Sequence, residues 1–186
     1  MVALTRRQFT RAVGFGTFAF LVSNERKFLT PAQAFEQRSA FEVLDGSEVG
    51  ALESLAEVLL PGSREAGVAH FVDNQLAAAD HDALLMIRYF AIPKPFREFY
   101  HGGLAAVNAA TRAQFGVDFA SLELRQQERL VTDMSQDAIP GWSGPPQSFW
   151  YFIVRNDAID VVYGSIKGFE ALGIPYMPHI LPPTLI

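Results

Sequence analysis

The chain has 186 residues, of which 49% are hydrophobic and 19% charged, enough apolar material for the core of one domain. The formal net charge is −5, but residues 1–34 hold five basic groups and one acidic group, a net +4 that leaves −9 for the rest. An acidic body excludes the basic patches that nucleic-acid binding needs. The absence of cysteine excludes disulfides, cysteine-ligated zinc, iron–sulfur clusters and covalent haem attachment.

The N-terminal segment, residues 1–34, has the layout of an export signal. Arg6 and Arg7, with Phe9 two positions later, resemble the twin-arginine motif, and an apolar run over residues 12–22 follows at once. That run is shorter than the ~20 residues that a membrane-spanning helix needs. We therefore expect export of the folded chain through the twin-arginine translocon to the periplasm.

The end of this segment allows two outcomes. Ala32-Gln33-Ala34 has the small-x-small pattern of a cleavage site, which would leave Phe35 as the new terminus. The polar residues 24–27, however, make an unusually long interval before that site, so retention of the segment as a membrane tether stays open.

The remaining residues, 35–186, show helical spacing of apolar side chains and predict a single all-α domain. Asp45 or Ser47 is placed to cap the first helix, Pro61-Gly62 ends it, Gly116 suits a left-handed cap, and Ser148 is placed to cap the last long helix. The predicted helical segments cover residues 48–60, 68–76, 83–90, 96–115, 123–134 and 148–162.

Four consecutive aromatic residues, Phe149 to Phe152, begin the last of these helices. We align Phe149, Phe152, Ile153, Asn156, Ile159 and Val162 on one face, and prefer a helix to a strand on length and spacing. A helix that is apolar all round is either buried on every side or meets another protein. Both interpretations stand at this point.

The C-terminal segment, residues 174–186, contains four prolines and predicts an extended arm rather than regular structure. Such an arm gains stability only by lying along another surface. The predicted partner interface therefore combines the aromatic helix, a tyrosine at its end and the arm: Phe149, Trp150, Phe152, Tyr163, Pro175, Tyr176, Met177, Pro178 and Ile180.

No catalytic, cofactor-binding or metal-ligating residues are predicted, because the sequence lacks the HExxH, GxSxG and GxGxxG patterns. His81 lies between Asp80 and Asp82, and with Asp73 it suggests an oxygen-rich site, although a solvated acidic loop is the simpler interpretation. An independent periplasmic enzyme or ligand-binding module is the alternative function. Its pocket would be lined by Tyr89, Tyr100, His101 and Trp142.

Several stretches, in order along the chain, resemble the gluconate 2-dehydrogenase subunit 3 family. They are Leu59-Leu60-Pro61, Ala66 to Asp73, Gly103 to Gly116 with Phe119 and Leu122, Val162-Tyr163-Gly164, and Gly173 to Tyr176. The resemblance covers most of residues 44–183.

The resemblance implies a small, non-catalytic subunit of a periplasmic, inner-membrane-associated sugar, polyol or gluconate dehydrogenase complex. Its large subunit would be an FAD-dependent flavoprotein of the glucose–methanol–choline (GMC) type, and a multihaem cytochrome c subunit would pass electrons to quinone. The small subunit would carry the export signal for the flavoprotein and assist its maturation. The substrate of the complex stays open.

Overall fold

The computed structural model describes residues 16–175, which form seven α-helices and one β-hairpin. The prediction of a helical protein is confirmed, but an all-α fold is wrong in one respect, because residues 18–29 form two strands. The elements are β1 (Phe18–Val22), β2 (Glu25–Leu29), α1 (Pro31–Glu36), α2 (Gly46–Leu59), α3 (Val68–Ala77), α4 (Phe96–Phe115), α5 (Leu124–Ser135), α6 (Gln147–Tyr163) and α7 (Ile166–Ala171).

The hairpin arises from a two-residue turn. Ser23 and Asn24 both have positive φ, 50° and 66°, which is the backbone that closes tight hairpins in register with the twist of the strands. The strands pair antiparallel, with Phe18 opposite Leu29 and Val22 opposite Glu25. The polar residues 24–27 therefore belong to the turn and to an exposed strand.

Helix α2 begins as the sequence predicts. The Asp45 side chain accepts a hydrogen bond from the Glu48 N–H, and the Glu48 side chain accepts one from the Asp45 N–H. This reciprocal capping box satisfies two amides that have no partner within the helix. Leu52 and Leu55 on its apolar face are fully buried, and the helix ends at Leu59, before the predicted Pro61-Gly62 stop.

Helix α4 has the predicted bounds. Gly116, at φ 77°, ends it in the left-handed conformation that glycine adopts without strain. Leu104 and Val107 on its inner face are fully buried.

Two local predictions were wrong. The helix expected over residues 83–90 is only a one-turn 3-10 helix, Met86–Tyr89, because Leu85 before it is extended, with φ −63° and ψ 146°. Gln75 accepts from the Leu84 N–H and Asp157 from the Met86 N–H, on either side of this residue. Ser148 does not cap α6. Pro146 holds that position, and the Ser148 N–H bonds Asp137.

The core lies around α6, which packs against α2, α3 and α5. Its buried face contains Trp150, Ile153, Val154, Asp157 and Ala158. The face predicted to be buried was therefore about one residue out of place, since Phe152 and Asn156 are not buried. Among the helices within residues 16–175, none is long and apolar enough to cross a membrane.

Asp73 on α3 holds the loop that precedes α2. Its carboxylate accepts hydrogen bonds from the backbone N–H groups of Glu42, Val43 and Leu44, each 2.8 Å long. Asp73 is 4% exposed, so these bonds replace the water that a carboxylate requires.

We expect Asp73→Asn to destabilise the protein by about 2–3 kcal/mol, because an amide presents one acceptor oxygen to three donors and turns its own NH₂ toward them. Urea unfolding followed by circular dichroism measures this change. Asp80→Asn is the matched control, since Asp80 accepts one longer bond, 3.2 Å from the Phe96 N–H. Equal losses in the two variants would contradict this role of Asp73.

Candidate functional site

Aromatic rings form a continuous series from the core to the surface between α4 and α6. Tyr100 lies 5.6 Å from Trp150, Trp150 lies 5.4 Å from Phe99, and Phe99 lies 5.7 Å from Phe149, measured between ring centroids. Phe90, which follows the 3-10 helix, then contacts Phe149 at 5.2 Å. Tilted and edge-to-face pairs of this kind add stability beyond area burial.

The outer end of this series is an apolar surface. Phe90 and Phe152 are each 39% exposed, and their centroids lie 5.8 Å apart. Phe149 stacks on Phe152 and is half-buried. We call Phe90, Phe149 and Phe152 the aromatic surface; Tyr89, 73% exposed, precedes it in the chain. Clustered exposed aromatic side chains are typical of protein-binding surfaces.

Trp150 does not belong to this surface, although the sequence analysis assigned it to the partner interface. Its side chain is fully buried and packs on α4 at Gly103, where a Cβ atom would lie 2.5 Å from the indole ring. Trp150 is therefore a core residue.

The other predicted interface residues are distributed over two regions. Tyr163, at the end of α6, is half-buried, and Pro175, the last described residue, is exposed. Tyr176, Met177, Pro178 and Ile180 lie outside the described residues, as do Arg6, Arg7 and Phe9 of the predicted export signal. Those assignments stay predictions.

A buried carboxyl group links the elements that carry the aromatic surface. Asp157 on α6 accepts hydrogen bonds from the Tyr100 hydroxyl at 2.5 Å and from the Met86 N–H at 2.8 Å. It thereby joins α6, α4 and the 3-10 helix that leads into Phe90. Burial raises the pKa of Asp157 to about 7, and burial next to this carboxyl raises the pKa of Tyr100 well above its ordinary value.

Sequence reasoning missed Asp157. Its signal was a charged residue four positions after Ile153, on the same helical face. A carboxyl at that position is either buried with partners or interrupts the apolar stripe.

Three of the four residues proposed for an alternative pocket are bonded to other groups, and the fourth, Tyr89, is 73% exposed. The Tyr100 hydroxyl is bound to Asp157, His101 Nδ1 lies 2.5 Å from a Glu48 carboxylate oxygen, and Trp142 donates its indole N–H to the Pro145 carbonyl at 2.5 Å. A shallow cavity of about 300 Å³ lies elsewhere, between β1, α3 and the end of α6, and none of the four residues lines it.

Asp80, His81 and Asp82 of the acidic loop, and Asp73 on α3, make the contacts of structural residues. Asp80 accepts from the Phe96 N–H, Asp73 holds the loop before α2, and the exposed His81 ring lies 3.4 Å from the Asp82 carboxylate. Within residues 16–175, no three histidine or acidic side chains are grouped closely enough to hold a metal ion.

The fold and the aromatic surface define a small, mostly helical protein with an exposed apolar patch. A family model, gluconate 2-dehydrogenase subunit 3, matches residues 47–179. The match covers more than half of the chain, and the chain belongs to this family. Comparisons with curated proteins and with solved structures gave no match.

Proposed function

We propose that this chain is the non-catalytic small subunit of a periplasmic, membrane-associated sugar, polyol or gluconate dehydrogenase complex. In this proposal it binds an FAD-dependent GMC-type flavoprotein, escorts it through the twin-arginine translocon and stabilises it during maturation. FAD would be held by the flavoprotein, and haem c by a cytochrome subunit. Family membership supports a dehydrogenase partner.

The aromatic surface is the observation that carries the binding role. Phe149 and Phe152 expose ring area on a helix whose opposite face is packed in the core by Trp150 and Asp157, and Phe90 contacts both rings from the segment after the 3-10 helix. A surface that is already rigid loses little conformational entropy when a partner covers it. Aromatic side chains, phenylalanine included, are also enriched in protein interfaces.

Isolation of the native complex tests the proposal. The protein, affinity-tagged and purified gently from its native envelope fraction, should bring a larger subunit with flavin absorbance, with or without haem bands. Recovery of a colourless single chain at native abundance would contradict it and favour an independent module.

Substitution of an aromatic-surface residue tests the place of contact. We expect Phe152→Ser to reduce the co-purified flavoprotein at least tenfold, because truncation of an interface hot spot costs ~2 kcal/mol or more and Phe152 lies within the aromatic cluster. Leu124→Ser is the matched control, since Leu124 is an apolar side chain that is 61% exposed on α5. Circular dichroism should show both variants folded. Equal flavoprotein recovery with the two variants would exclude the aromatic surface as the contact.

A further inference from the structure

The β-hairpin and α1 are built into the folded domain. Phe20, Val22, Leu29 and Ala34 are each less than 9% exposed and pack together as a second small core. Helix α1 has its own capping box, in which Thr30 and Gln33 satisfy each other's backbone amides. These features are typical of a stable structural element.

Polar contacts join the hairpin to the rest of the chain. Asn74 on α3 donates a hydrogen bond from its side-chain amide to the Ala19 carbonyl at 2.9 Å. The Leu21 carbonyl accepts from the Ser39 hydroxyl and from the Ala40 N–H. Arg26 forms a two-pronged ion pair with Glu42, at 2.9 and 2.7 Å. Strand β1 thus has bonded partners on α3 as well as in the loop after α1.

Apolar contacts also join the hairpin to α3. The Phe18 ring meets Phe71 of α3 at 5.6 Å, and His70 of α3 lies among the rings of Phe20, Phe35 and Phe41. Removal of the hairpin would expose this side of α3 to water. The cost would scale with the apolar area uncovered.

Ala34, the last residue of the small-x-small pattern, is protected. Its side chain is fully buried, its N–H donates to the Thr30 carbonyl, and its carbonyl accepts from the Ser39 N–H. A protease needs an exposed, extended backbone, so cleavage here requires α1 to unfold first. A chain exported in the folded state would present no such site.

We propose that the mature protein keeps residues 18–40 as part of its fold and that Ala32-Gln33-Ala34 is not a processing site. Any removal of the N-terminal segment takes place before Phe18. The hairpin then serves the mature subunit by covering α3. This proposal concerns the terminus of the chain and does not depend on which partner it binds.

Intact-mass measurement with N-terminal sequencing tests it on protein purified from the native envelope. We expect a terminus at Met1 or at any residue up to Phe18. A terminus at Phe35, or at any other residue after Phe18, would overturn the proposal, whether or not a flavoprotein co-purifies. Failure of the partner proposal would appear instead as a single chain that carries either terminus.

A matched pair of phenylalanines tests the structural role of the hairpin. Phe20 is 4% exposed and Phe28 is 48% exposed, both within the hairpin. In the full chain we expect Phe20→Ser to raise the rate of tryptic cleavage after Arg26 and Lys27 at least tenfold, and Phe28→Ser to leave it within twofold of the parent. Equal cleavage rates in the two variants would show that the hairpin does not dock and would overturn the proposal.

Discussion

Replacement of Gly103 by alanine is expected to destabilise the protein by about 2–3 kcal/mol, because overpacking a filled core forces side chains and backbone to shift. A Cβ atom there would lie 2.5–2.6 Å from three carbons of the Trp150 indole ring. The ring cannot move away easily, since Trp150 is fully buried and contacts both Phe99 and Tyr100. Urea unfolding with circular dichroism gives the free energy of unfolding.

Gly102 supplies the control for this prediction. It is the neighbouring residue of the same helix, and a Cβ atom there would meet only Pro145 Cδ, at an ordinary 3.7 Å. Glycine to alanine in a helix interior stabilises by about 0.5–1 kcal/mol. We therefore expect Gly102→Ala to raise the unfolding midpoint and Gly103→Ala to lower it. A shift of the same sign in both variants would contradict the tight packing of the Trp150 ring on Gly103.

The helices that sequence reasoning located correctly have signals that do not depend on the rest of the fold. The Asp45–Glu48 capping box and the Gly116 cap are local, and a 3–4-residue apolar repeat describes α2 whatever it packs against. The prediction of a helix over residues 83–90 was wrong because the structure of this segment depends on other parts of the fold. Leu85 is extended there, and the N–H groups on either side of it bond Gln75 and Asp157, which belong to other helices.

The aromatic helix shows why the candidate site was only partly predictable. Four apolar residues in succession give no periodicity, so the pattern cannot say which one faces inward. Gly103 determines that Trp150 faces inward, because the space left by the missing side chain of Gly103 on α4 accepts the Trp150 ring. Phe152 then lies outward with Phe90.

The hairpin was missed because an apolar strand and the apolar run of an export signal have the same composition. Residues 18–22 read Phe-Ala-Phe-Leu-Val, which fits either structure. Their docking depends on Asn74 and Phe71 of α3, which the local pattern does not contain. The Ser23-Asn24 turn also lacks the glycine of the strongest hairpin signals.

The buried carboxyl of Asp157 makes stability depend on pH. Its pKa is raised by burial from 3.8 to about 7 in the folded state. Between these values the folded protein binds a proton that the unfolded chain has released, so stability falls as pH rises from about 4 to about 7 and stays lowered above that. Three pKa units at about 1.4 kcal/mol each give an effect of up to ~4 kcal/mol.

We expect Asp157→Asn to abolish this loss. Asparagine resembles the protonated carboxyl: its oxygen accepts from the Met86 N–H and its NH₂ donates to the Tyr100 oxygen. The variant should be more stable than the parent at pH 8 and close to it at pH 5. Burial lowers the pKa of His70, which costs stability below about pH 6.5, but this loss is common to both proteins and cancels in the difference.

Asp160→Asn tests whether the effect belongs to Asp157 rather than to charge on α6. Asp160 is an exposed carboxyl on the same helix, whose charge also raises the pKa of Asp157. This variant should keep most of the pH dependence of the parent. Urea unfolding at pH 5, 6, 7 and 8 provides the comparison. If Asp157→Asn and the parent gave parallel profiles, the Asp157 carboxyl would be ionised throughout this range, and burial would not set the pH response of the helix that carries the aromatic surface.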